Sequence, residues 1–147
     1  TSSVSARPNV TAFFPPAGLT SSPSWVRTLI VEDGRHYAFD VQRGSATAIG
    51  AWDWDAIVGA NEIHLLQASN LQQIAFTVGD LGLSTATRLR VEFDQPSGGS
   101  TDVVVRGYAG APVVRRCGGG TIPPGSWSWS AGELTLHEPV AFTWCIN

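Results

Sequence analysis

The chain has 147 residues, of which 43% are hydrophobic and only 14% are charged, and its formal net charge is −3. This length predicts one domain that can bury a core, and the composition excludes disorder, which needs low hydrophobicity and high net charge. All nine basic residues are arginines, adjacent only at Arg115-Arg116, so the attraction that dominates nucleic-acid binding is missing. The sequence also lacks the run of about 18 apolar residues that predicts membrane insertion.

Residues 1–24 are rich in Ser, Thr, Ala and Pro. Proline fixes φ and has no amide proton to donate, so its repeated use here excludes a helix and a central strand. We therefore expect residues 1–24 to form a linker or an extended N-terminal arm, with a short edge strand between Val10 and Phe14. Residues 25–147 are expected to form a single domain.

From residue 25 onwards, short apolar segments alternate with turn signals. Alternation over residues 36–42 predicts a strand with Tyr37 facing the core and His36 facing solvent. Residues 61–73 fit a short helix or irregular turn, but Ile63 and Leu65 also alternate as in a strand. The regular spacing predicts about ten strands and at most one short helix, near residues 61–73. The predicted fold is an all-β, antiparallel β-sandwich of the jelly-roll type.

Four of the six tryptophans form two pairs with strand spacing, Trp52 with Trp54 and Trp127 with Trp129. A strand places residues i and i+2 on one face, so each pair makes one wide aromatic surface. The neighbours of each pair are small or polar, which favours the tryptophan faces as core. The alternative is that the tryptophans are exposed platforms or the walls of a cleft.

Two aspartates are interleaved with the first tryptophan pair. If Trp52 and Trp54 face inward, Asp53 and Asp55 face the solvent. The D-x-D spacing leaves a structural calcium ion as an alternative to a solvated acidic face, because calcium prefers carboxylate and carbonyl oxygens. No other metal or cofactor is predicted.

The two cysteines, Cys117 and Cys145, lie towards the C-terminus. We expect them to form a disulfide, which indicates a secreted, extracellular or cell-surface protein. The bond would tie the last strand to the rest of the domain. Trp144 is expected to be buried beside it, because Trp144 alternates with Phe142 and Ile146.

No pattern in the sequence predicts a catalytic residue. The histidines His36, His64 and His137 fall in no H-E-x-x-H motif, and no G-x-S-x-G is present. A glycosidase would need two facing carboxylates at a set distance, which sequence cannot supply. The acids available for such a pair are Asp53, Asp55, Glu92, Asp94, Glu133 and Glu138.

Two functional hypotheses follow. The first is a non-catalytic, lectin-like module that binds a glycan, in which flat aromatic rings stack on sugar and polar groups bond its hydroxyls. The second is a structural or adhesive protein, such as a phage or viral capsid, spike or fibre domain, that assembles as a homo-oligomer through apolar faces. For the first hypothesis the binding residues are Trp52, Trp54, Asp53, Asp55, Trp127 and Trp129, with Arg35, Gln42 and Asn61 as further polar partners.

Overall fold

The structure is a computed structural model that describes residues 25–96, 99–137 and 143–147, together with the backbone of residues 11–12. Two β-sheets pack face to face around one hydrophobic core, which confirms the predicted all-β sandwich. The strands are Thr11–Ala12 (β1), Val26–Ile30 (β2), Gly34–His36 (β3), Phe39–Arg43 (β4), Gly50–Ile57 (β5), Glu62–Ser69 (β6), Leu71–Thr77 (β7), Leu89–Phe93 (β8), Asp102–Arg106 (β9), Val114–Arg116 (β10), Trp127–Ser130 (β11), Glu133–Leu136 (β12) and Trp144–Ile146 (β13). Two short 3₁₀ turns cover Val58–Ala60 and Val78–Leu81.

The first sheet has the strand order β1-β2-β5-β6-β8-β13-β10, and the second has the order β11-β12-β9-β7-β4-β3. The chain passes from the first sheet to the second between β6 and β7, at Asn70, and again between β8 and β9. These two crossings run in the same direction, so β6 pairs with β8 and β7 pairs with β9 in parallel. The remaining pairings within the described residues are antiparallel, and the sheets are therefore mixed rather than wholly antiparallel.

At the N-terminus, β1 pairs with β2 at the outer side of the first sheet. It falls within the segment that the sequence predicted for a short edge strand. The other residues of segment 1–24 lie outside the described part of the chain, so their role as a linker or arm stays a prediction.

The ambiguous stretch 61–73 forms β6 and the start of β7, as the alternation of the buried Ile63 and Leu65 indicated. No helix begins at Asn61. This residue has a left-handed backbone, with φ of 53°, and its side chain holds the loop that leads to β8. The amide nitrogen donates to the carbonyls of Ser84 and Arg88 at 2.9 and 3.0 Å, and Oδ1 accepts from the Ser84 amide at 2.8 Å.

Large aromatic side chains fill the middle of the core. Trp52 and Phe39 meet edge to face with ring centroids 5.7 Å apart, and Phe39 meets Phe76 in the same way at 6.2 Å. All three side chains are fully buried. Burial of a side chain of this size stabilises a fold by about 1.5–3 kcal/mol. Trp52 is therefore a core residue, as the alternation favoured, and not an exposed platform.

The prediction of which side chains in residues 36–42 face the core is wrong for the first two residues. His36 is buried and Tyr37 is 64% exposed, because the chain turns at residues 37–38 between β3 and β4 instead of continuing as one strand. From Phe39 onwards the prediction holds, since Phe39 and Val41 are buried and Gln42 is exposed.

The predicted disulfide between Cys117 and Cys145 is present. Cys145 lies on β13, and Cys117 directly follows β10, the outermost strand of the first sheet. The bond therefore joins two neighbouring strands. Trp144 is buried next to it, as expected.

Candidate functional site

A cleft of about 390 Å³ opens where three parts of the fold meet. They are the C-terminal half of β5 in the first sheet, the turn between β3 and β4, and the 3₁₀ turn Val78–Leu81 of the second sheet. Its volume lies in the range of about 300–1,000 Å³ that is typical of small-molecule sites. The cleft, here called the Tyr37–Trp54 cleft, is lined by Val26, Tyr37, Ala38, Trp54, Asp55, Ala56, Asp80 and Leu81.

Tyr37 projects from the two-residue turn between β3 and β4, where His36 pairs with Phe39. Its backbone is left-handed, with φ of 55°. Glycine, asparagine or aspartate usually occupy such turn positions, because a bulky residue is strained there. Tyr37 is nevertheless aromatic and 64% exposed. Backbone strain that displays an exposed aromatic ring points to a role in function.

Trp54 forms the opposite aromatic wall and is held in place from two sides. Its indole Nε1–H donates to Thr28 Oγ1 at 3.2 Å, and the edge of Phe39 packs against it with ring centroids 5.1 Å apart. The side chain is half-buried. Tyr37 lies across from it, with ring centroids 6.5 Å apart and planes inclined by 60°. The cleft therefore has one fixed ring and one ring carried by a turn.

Asp55 departs from the sequence prediction that it faces solvent. It is only 7% exposed and lines the Tyr37–Trp54 cleft. Within the described part of the chain, no group donates a hydrogen bond to its carboxylate. The carboxylate oxygens are not sealed from the cleft, so a ligand that brings a hydroxyl or amide donor into the cleft can bond to them directly.

Charged side chains flank the cleft at the 3₁₀ turn. Arg35 donates to Asp80 at 2.9 Å and lies 3.7 Å from Asp40, which in turn accepts from Arg106. Arg106 also donates to Glu133 at 2.6 Å. Burial acts to lower the pKa of Arg106, but its hydrogen bonds with Glu133 and Asp40 outweigh burial and raise that pKa. The chain of ion pairs thus leads from β12 across the second sheet to the cleft.

The other tryptophans predicted as binding residues do not line this cleft. Trp52 is fully buried in the core. Trp127 and Trp129 are half-buried and pack against the core, opposite Leu136 and Leu134 of β12. Their facing agrees with the core interpretation that the alternation favoured.

Of the remaining polar residues predicted for the site, Arg35 lies at the cleft and Asp53, Asn61 and Gln42 do not. Asp53 faces outward as predicted and forms an ion pair with Arg27 at 3.1 Å. Arg35 reaches Asp80 at the cleft, whereas Asn61 is engaged in holding the loop before β8. Gln42 lines a separate hollow on the second sheet.

Sequence reasoning missed Tyr37 and Asp80 as members of the site. The alternation predicts Tyr37 in the core, because the turn at residues 37–38 contains no glycine, proline or asparagine that would mark it as a turn. The segment Asp80-Leu81-Gly82 predicts a turn, and nothing in it places Asp80 beside Tyr37. Trp54 and Asp55 are both among the residues that the sequence predicts. That they lie beside the β3–β4 turn depends on how the two sheets stack, which the sequence pattern does not show.

The described residues contain no group of three or more His, Cys, Asp or Glu side chains that could hold a metal ion. Within the same residues, no helix is long and apolar enough to cross a bilayer. Glu138, one of the acids considered for a glycosidase pair, lies outside the described part of the chain.

Comparison of the sequence with known protein families, with curated proteins and with solved structures finds no match in any of the three.

Proposed function

We propose that this domain binds a carbohydrate in the Tyr37–Trp54 cleft. The observation that carries the proposal is Asp55, a residue that is 7% exposed and lines the cleft, and whose carboxylate accepts no hydrogen bond from the described residues. A sugar hydroxyl is a neutral donor that can enter beside the aromatic walls and satisfy this acceptor.

The aromatic walls supply the second part of sugar recognition. A pyranose ring has an apolar face of C–H groups that packs on flat aromatic surface, and its hydroxyls project sideways towards polar groups. Tyr37 and Trp54 provide the surface, and Asp55 and Asp80 provide the acceptors. Small-molecule sites commonly combine a mainly apolar lining with a few placed polar groups.

The proposed ligand is a neutral glycan rather than an anionic one. The two carboxylates in the cleft would repel a sulfated or uronic sugar, because like charges at short range in a partly buried site cost free energy. The guanidinium of Arg35 is already hydrogen-bonded to Asp80. A neutral sugar can donate to both carboxylates without disturbing this ion pair.

A glycan array followed by calorimetric titration of the best glycan tests the proposal. We expect a neutral saccharide to bind the wild type, and Tyr37→Ala to raise Kd at least about tenfold, which corresponds to about 1.4 kcal/mol. The fold should survive this change, since Tyr37 is 64% exposed. Absence of any glycan ligand, or an unchanged Kd in Tyr37→Ala, would contradict the proposal.

Val113→Ala is the matched control. Val113 is also an exposed apolar residue, with half of its surface accessible, and it does not line the cleft. Its replacement should leave Kd unchanged. A similar loss in both variants would show that the array signal comes from general surface stickiness.

We further propose that the protein is secreted or displayed at the cell surface. A disulfide between neighbouring strands is compatible with an oxidising compartment. Polysaccharides and glycoproteins are also accessible there. Localisation of the tagged full-length protein in its native cells tests this, and retention in a reducing cytosol would contradict it.

The second candidate function is that of a structural or adhesive subunit that assembles with copies of itself. It is favoured by three exposed aliphatic residues at the end of the β2–β5 pair, Leu29 at 44%, Val31 at 47% and Ile49 at 56% accessibility. Exposed apolar clusters often serve as subunit interfaces. Light scattering on the wild type and on Ile49→Asp decides this: assembly abolished by the charge supports it, and a monomer at every concentration rejects it.

A further inference from the structure

Three side chains on the outer face of the second sheet form a continuous hydrogen-bonded array. Ser128 Oγ lies 3.0 Å from His137 Nε2, and His137 Nδ1 lies 3.2 Å from Asp102 Oδ2. Ser128 is exposed, and about two fifths of the His137 side chain and one third of the Asp102 side chain are accessible. Asp102 and His137 line an open hollow of about 460 Å³ together with Ser100 and Ser126. Ser128 does not line the hollow and adjoins it through its contact with His137.

The register of the sheet places these residues together. Leu136 of β12 pairs with Val103 of β9, so the next position along each strand brings His137 opposite Asp102. Across the other side of β12, the His137 amide donates to the Ser126 carbonyl at 2.9 Å. Ser128 is two residues further along β11 and therefore reaches His137 diagonally.

The order of the contacts defines the proton positions in the neutral imidazole. An ionised carboxylate only accepts hydrogen bonds, so His137 Nδ1–H donates to Asp102. Nε2 is then the unprotonated nitrogen and accepts the Ser128 hydroxyl proton. A serine hydroxyl, a histidine that can take its proton, and a carboxylate that holds the tautomer are the parts of a nucleophilic serine site.

We propose that Ser128 is the nucleophile of a hydrolytic site that cleaves short-chain carboxylic esters of polar alcohols. His137 is the general base, and Asp102 is a positioning residue that acts through His137. The small-acyl, polar class follows from the hollow beside His137, which is open and is lined by two serines, an aspartate, a histidine, a proline and a glycine, with no large apolar side chain.

The reaction balances with water as the second substrate. Ser128 Oγ attacks the ester carbonyl carbon while its proton passes to His137 Nε2, and a C–O bond forms. The alcohol then leaves as the ester C–O bond breaks, taking the proton from His137. Water attacks the acyl-serine with His137 as base, which releases the carboxylic acid and restores the serine hydroxyl.

The strand that carries Ser128 also offers a donor for the developing oxyanion. Within the described residues, β11 is the last strand of the second sheet. The His137 amide donates to the Ser126 carbonyl, so the alternation of the ladder turns the Trp129 N–H away from β12 and towards the outer edge of the described sheet. In several serine hydrolases the amide after the nucleophile has this role.

A fluorophosphonate probe tests the nucleophile directly, because it forms an Oγ–P bond with release of fluoride only at an activated serine. We expect mass spectrometry of the labelled full chain to find the adduct on Ser128. Ser128→Ala should abolish it, and His137→Ala should slow it at least about 100-fold, in the range of a lost general base. The same variants should lose hydrolysis of p-nitrophenyl acetate.

Ser130→Ala is the matched control, because Ser130 lies on the same strand and face but outside the array. It should label at the wild-type rate, and heat-denatured wild type should not label. Circular dichroism establishes that each variant is folded. Wild type that gives no adduct on Ser128, or a labelling rate unaffected by His137→Ala, would overturn the proposal.

The positioning role of Asp102 has its own readout. Asp102→Asn should lower the labelling rate and also change the ring ¹⁵N chemical shifts of His137, which report the tautomer. An unchanged tautomer would remove Asp102 from the site. Because the array lies at the β11 end of the second sheet and the Tyr37–Trp54 cleft at the β3 end, failure of either experiment leaves the other proposal standing.

Discussion

Tyr37 and Trp54 belong to different sheets, yet their rings lie 6.5 Å apart and form the aromatic walls of one cleft. Trp54 is fixed by Thr28 and Phe39, whereas Tyr37 is held by a strained turn. A ligand that lies on both rings would contact a rigid surface and an exposed one. This relationship, together with the buried Asp55, is the basis of the proposed carbohydrate site.

Because the backbone at Tyr37 is strained, we expect two Tyr37 variants to lose glycan binding alike but to differ in stability. The left-handed backbone costs an L-residue roughly 1–2 kcal/mol, and glycine avoids this cost. Tyr37→Gly should therefore have a free energy of unfolding about 1 kcal/mol higher than Tyr37→Ala, although both lose glycan binding. Urea denaturation measures the difference, and a glycine variant less stable than the alanine variant would contradict the strained turn.

Replacement of Asp55 is expected to weaken glycan binding, whereas replacement of Asp53 is expected to leave it unchanged. Because the carboxylate of Asp55 accepts no hydrogen bond from the described residues, Asp55→Asn should leave stability unchanged or raise it by at most about 1 kcal/mol, while glycan affinity falls. Asp53→Asn breaks an exposed ion pair with Arg27, which is worth at most about 1 kcal/mol, and should leave affinity unchanged. Thermal denaturation and calorimetric titration of the two variants check this. A large loss of stability in Asp55→Asn would show that the carboxylate already has a donor.

Tyr108 predicts a pH dependence. Burial raises the pKa of Tyr108 to about 12, above the value of about 10 in an unfolded chain. The contribution of Tyr108 to stability is thus complete below pH 10 and is lost as the pH rises from about 10 to about 12. Tyr108→Phe should remove this part of the alkaline loss, and absorbance titration of the phenolate in the wild type should report a midpoint near 12.

Tyr108→Phe also tests packing at neutral pH. The hydroxyl oxygen is buried and has no hydrogen-bond partner within the described residues. Its removal should be neutral or stabilising. Destabilisation by more than about 1 kcal/mol would mean that the hydroxyl has a partner elsewhere in the chain.

Removal of the disulfide is expected to lower the stability of the fold by a measurable amount. Replacing Cys117 and Cys145 together by alanine should lower the free energy of unfolding by about 2–4 kcal/mol, the usual contribution of such a crosslink. The glycan Kd should stay the same, because neither residue lines the Tyr37–Trp54 cleft. Equal stability with and without the bond would contradict a structural role.

Local alternation predicted much of the fold but little of its assembly. It identified the strands and the buried positions of Phe39, Val41 and Trp52, because apolar side chains at period two have to face the core. It failed at His36 and Tyr37, where a turn without a glycine interrupts the period. The parallel pairing of β6 with β8 depends on two crossings between sheets, which no local pattern encodes.

The candidate sites likewise contain residues that a local pattern identifies, brought together by contacts that it does not predict. Asp55 and Trp54 were identified from one short segment, but the burial of Asp55 comes from cleft walls that are distant in sequence. Ser128, His137 and Asp102 are separated by 9 and 35 positions, so no spacing rule could join them. Only the register of β9, β11 and β12 brings them into contact.

The most direct test of the carbohydrate proposal follows the indole N–H signals of the six tryptophans by NMR during titration with the best glycan. The Trp54 signal should shift to saturation, while the signals of Trp127, Trp129 and Trp144 stay in place. If Trp127 or Trp129 shifts and Trp54 does not, or if none responds, the Tyr37–Trp54 cleft is not the binding site.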